Sequence, residues 1–178
     1  MRLLRRCLGL ASLLLLAACV GGQGPDANYV GGRVMLECVP FARALSGVAL
    51  TGTADGWWDA AADRYRRSSR PEPGSVLVFR ASDRLPSGHV AVVSDVIARR
   101  KIVVTQANWV HHRITLDQAV IDISPDNDWS SVRVFWPPSN GMGAGEYPTY
   151  GFIRASRPLS HDQLLAATPR AVNLALDR

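Results

Sequence analysis

Four short runs rich in β-branched residues, 75–80, 89–97, 102–107 and 132–136, stand between clusters of turn residues and constrain the fold more than any other feature of the chain. Each is the length of a strand, and together they make an antiparallel sheet. Ahead of them the pattern is helical. Cys38 to Leu45, with Pro40 in its first turn and Gly47 beyond its end, reads as one helix. Asp55 to Tyr65 reads as a second, with Trp57, Trp58, Ala61 and Ala62 available to pack. Pro71-Glu72-Pro73-Gly74 is the turn between the helical and β regions. Helices first and an antiparallel sheet second give an α+β domain. Near the C-terminus, Ser160-His161-Asp162-Gln163 has the form of a capping box that opens a short helix, which Pro169 should end. Gly141, Gly143 and Gly145 follow Pro137-Pro138 as a loop without the strand-to-helix context of a phosphate cradle.

The first twenty residues are an address rather than part of this domain. Arg2, Arg5 and Arg6 make a positive head, and Leu8 to Ala18 is an apolar stretch of eleven residues, short of the roughly 20 that span a bilayer. It ends Leu16-Ala17-Ala18-Cys19, which resembles a bacterial lipobox. Residues 1–18 are therefore expected to be a lipoprotein signal peptide, with Cys19 the lipid-bearing start of the mature chain. The protein is then expected on the periplasmic face of a membrane, the outer membrane being preferred because Val20 rather than Asp follows the cysteine. Residues 19–33, which include five glycines, read as a flexible tether with a root-mean-square span of roughly 20 Å.

Removing the leader changes two counts. The formal charge falls from +5 to +2 without its three arginines, and Lys101 is the one lysine in the chain. With no basic run there is no electrostatic footprint for nucleic acid, and that partner is disfavoured. Of Cys7, Cys19 and Cys38, the first would be discarded and the second acylated, leaving Cys38 as a lone thiol in an oxidising compartment. The residues from 34 onward suffice for one core, and a monomer is expected.

Amide-cleaving cysteine enzymes need a thiolate, an imidazole to stabilise it and later donate a proton, and a third group to hold the ring. Cys38 at a helix N-terminus meets the partial positive charge of unpaired N–H groups, which favours a thiolate and offers donors to an oxyanion. Gly88-His89 opens an apolar strand, with Pro86-Ser87 ahead of it leaving one ring edge accessible. In the following run, alternation puts Ile102, Val104, Gln106 and Asn108 on one face. If that strand returns antiparallel through the turn at 98–101, either amide can accept from the His89 ring and set its tautomer.

These residues, in order, resemble a known family. Glu37-Cys38-Val39-Pro40-Phe41-Ala42-Arg43, then Pro71 to Phe79, then Gly88-His89-Val90-Ala91-Val92-Val93, then Gln106-Ala107-Asn108-Trp109 look like a CHAP domain, a cysteine, histidine-dependent amidohydrolase/peptidase. The likeness runs over about residues 31–136, and Tyr147 to Ile153 resembles the ending of secreted proteobacterial members. It implies a papain-like α+β fold, with N-terminal helices packed on the sheet, in a catalytic domain over 34–155 followed by a helical tail over 156–178. It also implies hydrolysis of amide bonds in peptidoglycan, with Cys38 as nucleophile, His89 as base and no cofactor.

Two positions depart from the family pattern. Members often carry Gln before the cysteine and Glu at the first polar position of the third motif, where this chain has Glu37 and Gln106. Gln106 is favoured by position to orient the ring, with Asn108 as its rival. Glu37, Trp58 and Trp109 are candidates for the substrate groove. Glu37 beside the nucleophile opposes a thiolate by like charge, which keeps open an alternative: a cell-wall-binding module that has the groove without efficient catalysis, or that needs a partner to activate it. His111, His112 and Asp117 lack metal-ligand spacing, since adjacent side chains on a strand point oppositely. No metal site is expected.

Overall fold

The computed structural model describes residues 29–177. The leader and Cys19 lie outside the described residues. Among those described, the order is β1 (Tyr29–Val30), α1 (Cys38–Ser46), α2 (Trp57–Ala60), β2 (Arg67–Ser68), β3 (Val76–Phe79), β4 (His89–Ala98), β5 (Lys101–Ala107), β6 (Ile114–Asp122), β7 (Ser131–Trp136), β8 (Gly141–Met142), β9 (Tyr147–Ile153) and α3 (His161–Leu176). Every strand pairing is antiparallel. The ladder β3-β4-β5-β6-β7-β9 returns to β3, so six strands close into a barrel, with β1, β2 and β8 as short additions at its margins.

Strand alternation sorts the apolar residues into two cores. Leu77 and Phe79 of β3, Ala91 and Val93 of β4, and Ile102 and Val104 of β5 join Trp129, Val132 and Phe152 in one cluster. Their neighbours Val76, Val78, Val90 and Val92 join Phe41 and Leu45 of α1, Trp57 of α2 and Leu164 and Ala171 of α3 in the other. β3 and the first half of β4 are thus buried on both faces, which is why they read as continuous apolar runs.

The class is α+β, with the sheet dominant. The expectation of N-terminal helices packed on the sheet is met in part: the sheet closes, and the helix beside α1 is the C-terminal α3. The helix expected over 55–65 shrinks to the single turn of α2, followed by turns bonded Ala62 N–H to Asp59 and Arg64 N–H to Ala61. Only Trp57 and Ala61 of that segment are buried, so packing holds one turn and leaves the rest without the contacts a longer helix needs. Two residues assigned to the tether, Tyr29 and Val30, instead pair with Thr115 and Ile114 of β6. Gly141 and Met142, read as loop, pair with Trp136 and Phe135.

Pro169 does not end α3, which runs on to Leu176. Leu164, Thr168, Ala171 and Ala175 form its buried face, and Pro169 is exposed. The Thr168 hydroxyl donates to the Leu164 carbonyl at 2.9 Å, and continued burial on either side outweighs the one backbone bond that proline removes. The Ser160–Gln163 capping box is present in both directions.

Candidate active site

Glu37 stands at the N-cap of α1 with extended backbone, and its side chain makes no capping bond, so the first N–H groups of the helix remain free beside Cys38. The helix ends at Gly47, whose left-handed φ of 75° closes it by a bond from its N–H to the Arg43 carbonyl. At the other side of the site, Gly88 (φ 69°) turns the chain into β4. A Cβ there would stand 2.6 Å from the Phe79 carbonyl oxygen and 2.7 Å from the Asp55 nitrogen, so only glycine fits. This turn delivers His89 as the first residue of β4, paired with Phe79.

His89 is buried rather than edge-exposed, with 4% of its surface accessible. Its Nε2 lies 2.9 Å from Gln106 Oε1. A carbonyl oxygen only accepts, so Nε2 carries the hydrogen and Nδ1 is the nitrogen left for Cys38. Phe79 meets the ring edge-on with centroids 5.5 Å apart, and Trp109 does so at 5.2 Å. Tyr147 completes this wall against Phe79 and Trp109. The imidazole is therefore held by the Gln106 hydrogen bond and by two aromatic rings packed against it, with little room to rotate.

Burial by itself pushes the Cys38 thiol up. The His89 charge and hydrogen bond, with a backbone hydrogen bond at Val90, outweigh that and hold the thiol below its ordinary range, while the Glu37 carboxylate opposes them. For His89, burial pushes down; the Cys38 thiolate, the hydrogen bonds to Cys38 and Gln106 and the Glu37 charge outweigh it and hold the ring above the usual histidine range. The two shifts run in opposite directions, thiol down and imidazole up, each toward its charged form.

Asn108 does not share a face with Gln106. β5 ends at Ala107, and Asn108 takes a left-handed φ of 61° that breaks the alternation. Its Nδ2 donates to Glu37 Oε2 at 2.8 Å and its Oδ1 accepts from the His112 N–H at 2.8 Å. Of the two amides, the structure brings Gln106 to the ring and Asn108 to Glu37. Neither tryptophan expected in the groove lines the cleft: Trp109 packs behind it on His89, and Trp58 stacks on Tyr150 at 5.6 Å. His111 and His112 stand in a turn with ring centroids 3.6 Å apart, not on a strand, and Asp117 bonds to His161 instead. Sequence reasoning missed the packing roles of Phe79 and Tyr147; the barrel alone brings them together from β3 and β9.

Cys38 and His89 open on a cleft of about 690 Å³ whose walls include Glu37, Val39, Arg84, Leu85 and Asn108. Its size suits a short peptide segment. A buried thiol held below its ordinary range, an imidazole whose Nε2 is tied to Gln106 and free N–H groups at a helix start together can attack a carbonyl, hold an oxyanion and protonate a leaving amine.

Residues 27–108 match the family model of the CHAP domain. The chain is also similar to a crystal structure of Ly7917, at 13% identity over 75% of this chain and 92% of that one, with a TM-score of 0.33. A structure of Ly7917 with the hydrolyzing product of MDP is similar at 14% identity over 76% and 91% of the two chains, with a TM-score of 0.31. None of the curated proteins matches the chain.

Proposed function

We propose, from the CHAP match over 27–108 and the Cys38–His89–Gln106 line, that this protein is a cell-wall hydrolase cleaving amide bonds of peptidoglycan by a cysteine mechanism. The observation that carries the reading is the buried imidazole between a lowered thiol and a fixed amide acceptor. In this reading Cys38 Sγ attacks the carbonyl carbon, and N–H groups at the start of α1 bind the resulting oxyanion. His89 Nδ1 gives its proton to the leaving amine, and a thioester remains on Cys38. Water then attacks the thioester with His89 taking the proton, the acid product leaves, and the thiolate is restored. Gln106 keeps Nδ1 aimed at sulfur throughout. α1, with Cys38 at its start and packed on the sheet, plays the part that the papain-like helix plays in the family pattern.

The same reading makes residues 1–18 a signal peptide and Cys19 a lipid anchor on the periplasmic side, so that a monomeric domain over 34–155 works close to its membrane. The second reading, a wall-binding module without efficient turnover, draws on Glu37, whose charge opposes the thiolate. Mass spectrometry of fragments released from purified peptidoglycan by the full chain in mild detergent separates the two. New termini that appear with the native chain and not with Cys38→Ser are expected, and they identify the bond. Equal, absent release from both proteins, with both sedimenting with the wall, would favour the module.

A further inference from the structure

Beside the Cys38–His89 pair, the cleft carries two opposite charges that have no ion-pair partner among the described residues. Glu37 is held through Oε2 by a neutral amide, Asn108, and no Lys, Arg or His nitrogen lies within ion-pair distance of it among the described residues. Asn108 is itself pinned by the His112 N–H and by its left-handed backbone, so the carboxylate is positioned without being neutralised. Arg84, on the loop between β3 and β4, lines the same cleft and makes neither a side-chain hydrogen bond nor an ion pair among the described residues. Apart from the Cys38–His89 pair, the other walls are apolar or uncharged, including Val39, Ala54, Leu85 and Pro86. A carboxylate with one free oxygen and a guanidinium with all its donors free, in one apolar-walled cleft, form a complementary surface for a ligand bearing both charges.

We propose that Glu37 and Arg84 make this cleft selective for peptides that carry a free ammonium group and a free carboxylate near the scissile amide, the ammonium docking on Glu37 and the carboxylate on Arg84. This deepens the hydrolase reading and rests on it for the identity of the cleft as the substrate site. It also gives Glu37 a use that offsets its cost. Unoccupied, its charge opposes the thiolate; an ammonium group docked on it offsets that charge, so the substrate raises the thiolate fraction of Cys38 as it binds.

The test compares soluble stem-peptide fragments of peptidoglycan in three forms: native, with amines acetylated, and with carboxylates amidated. With the full chain, acetylation is expected to lower kcat/KM about 10-fold or more, as is amidation, the size of one charge-assisted contact. Glu37→Gln should erase the penalty for acetylation and keep that for amidation; Arg84→Gln should do the reverse. Equal kcat/KM for all three forms in the wild type, or penalties unchanged in both variants, would overturn the proposal. Calorimetric binding of the same three forms to full-length Cys38→Ala separates this from the hydrolase reading. The same preference in binding, with no turnover by the wild type, refutes the hydrolase and upholds the selectivity; no binding, or binding without preference, overturns the selectivity.

Discussion

Gln106 Oε1 sits 2.9 Å from His89 Nε2 across the β4–β5 ladder, with the glutamine wholly buried. A neutral amide thus occupies the place where a carboxylate would make an ion pair with the ring. It fixes through geometry which ring nitrogen is left to face Cys38, and adds no charge.

Gln106→Ala should therefore lower kcat by about 10²-fold with a smaller change in KM, within the range for positioned proton transfer. Asn108→Ala should cost kcat less, since Asn108 bonds to Glu37 and not to the ring. Gln106→Glu should restore much of the loss and move the basic limb of the kcat/KM pH profile upward, because a carboxylate stabilises the imidazolium more than an amide does. Steady-state kinetics across pH checks all three; equal effects of the two alanine variants would remove Gln106 from the orienting role.

The Cys38 titration responds to its neighbours with predictable sign. Burial raises it and His89 lowers it, so in His89→Ala only the Val90 backbone hydrogen bond still opposes the burial, and the thiol should titrate higher than in the wild type. Glu37→Gln removes an opposing charge and should move it further down. The rate of iodoacetamide alkylation as a function of pH, followed by mass, reads each shift. An unchanged profile in His89→Ala would show that the two groups are not electrostatically coupled.

Gly88→Ala should destabilise the fold by about 2 kcal/mol or more, the scale of a forced left-handed residue plus backbone contact. The cause is local, since the added Cβ meets the Phe79 carbonyl and the Asp55 backbone. Urea unfolding measures it, and the residual folded protein should show impaired Cys38 reactivity because His89 follows directly.

His161, at the first position of α3, places Nε2 3.0 Å from Asp117 Oδ2 of β6. The hydrogen bond to Asp117 raises the ring above the usual range against a smaller effect of burial, with further help from the charges of Asp117, Asp95 and Asp162. A raised folded-state value means the contribution is fully present below the unfolded value of about 6.5 and fades as pH rises through the folded one. The Tm difference between wild type and His161→Gln should be larger at pH 5.5 than at pH 9. A difference that grows with pH would contradict the pairing.

Much of this was legible in the residues because it is local. Pro40 and Gly47 bracket α1, the Ser160–Gln163 box opens α3, and β-branched runs between turn residues mark β3, β4, β5 and β7; each is decided by the backbone preferences of a few neighbours. β6 and β9 were not read as strands because Asp117 interrupts one and Pro148 and Gly151 the other. Those two strands close the barrel, so the missing local signal cost the global architecture. Pro169 shows the converse: a strong local stop was overridden because the helix around it buries a continuous face.

Residue type and short spacing are enough to mark the candidate chemistry: a cysteine at a helix start, a histidine after a glycine turn and two amides in the next run. How these groups combine is a matter of long-range packing. Whether Gln106 or Asn108 reaches the ring depends on where β5 stops and on the left-handed turn at Asn108. The meeting of Glu37 with Asn108, 71 residues apart, depends on how α1 sits at the end of the barrel. Such contacts follow from the closure of the whole sheet, and no window of sequence contains that information.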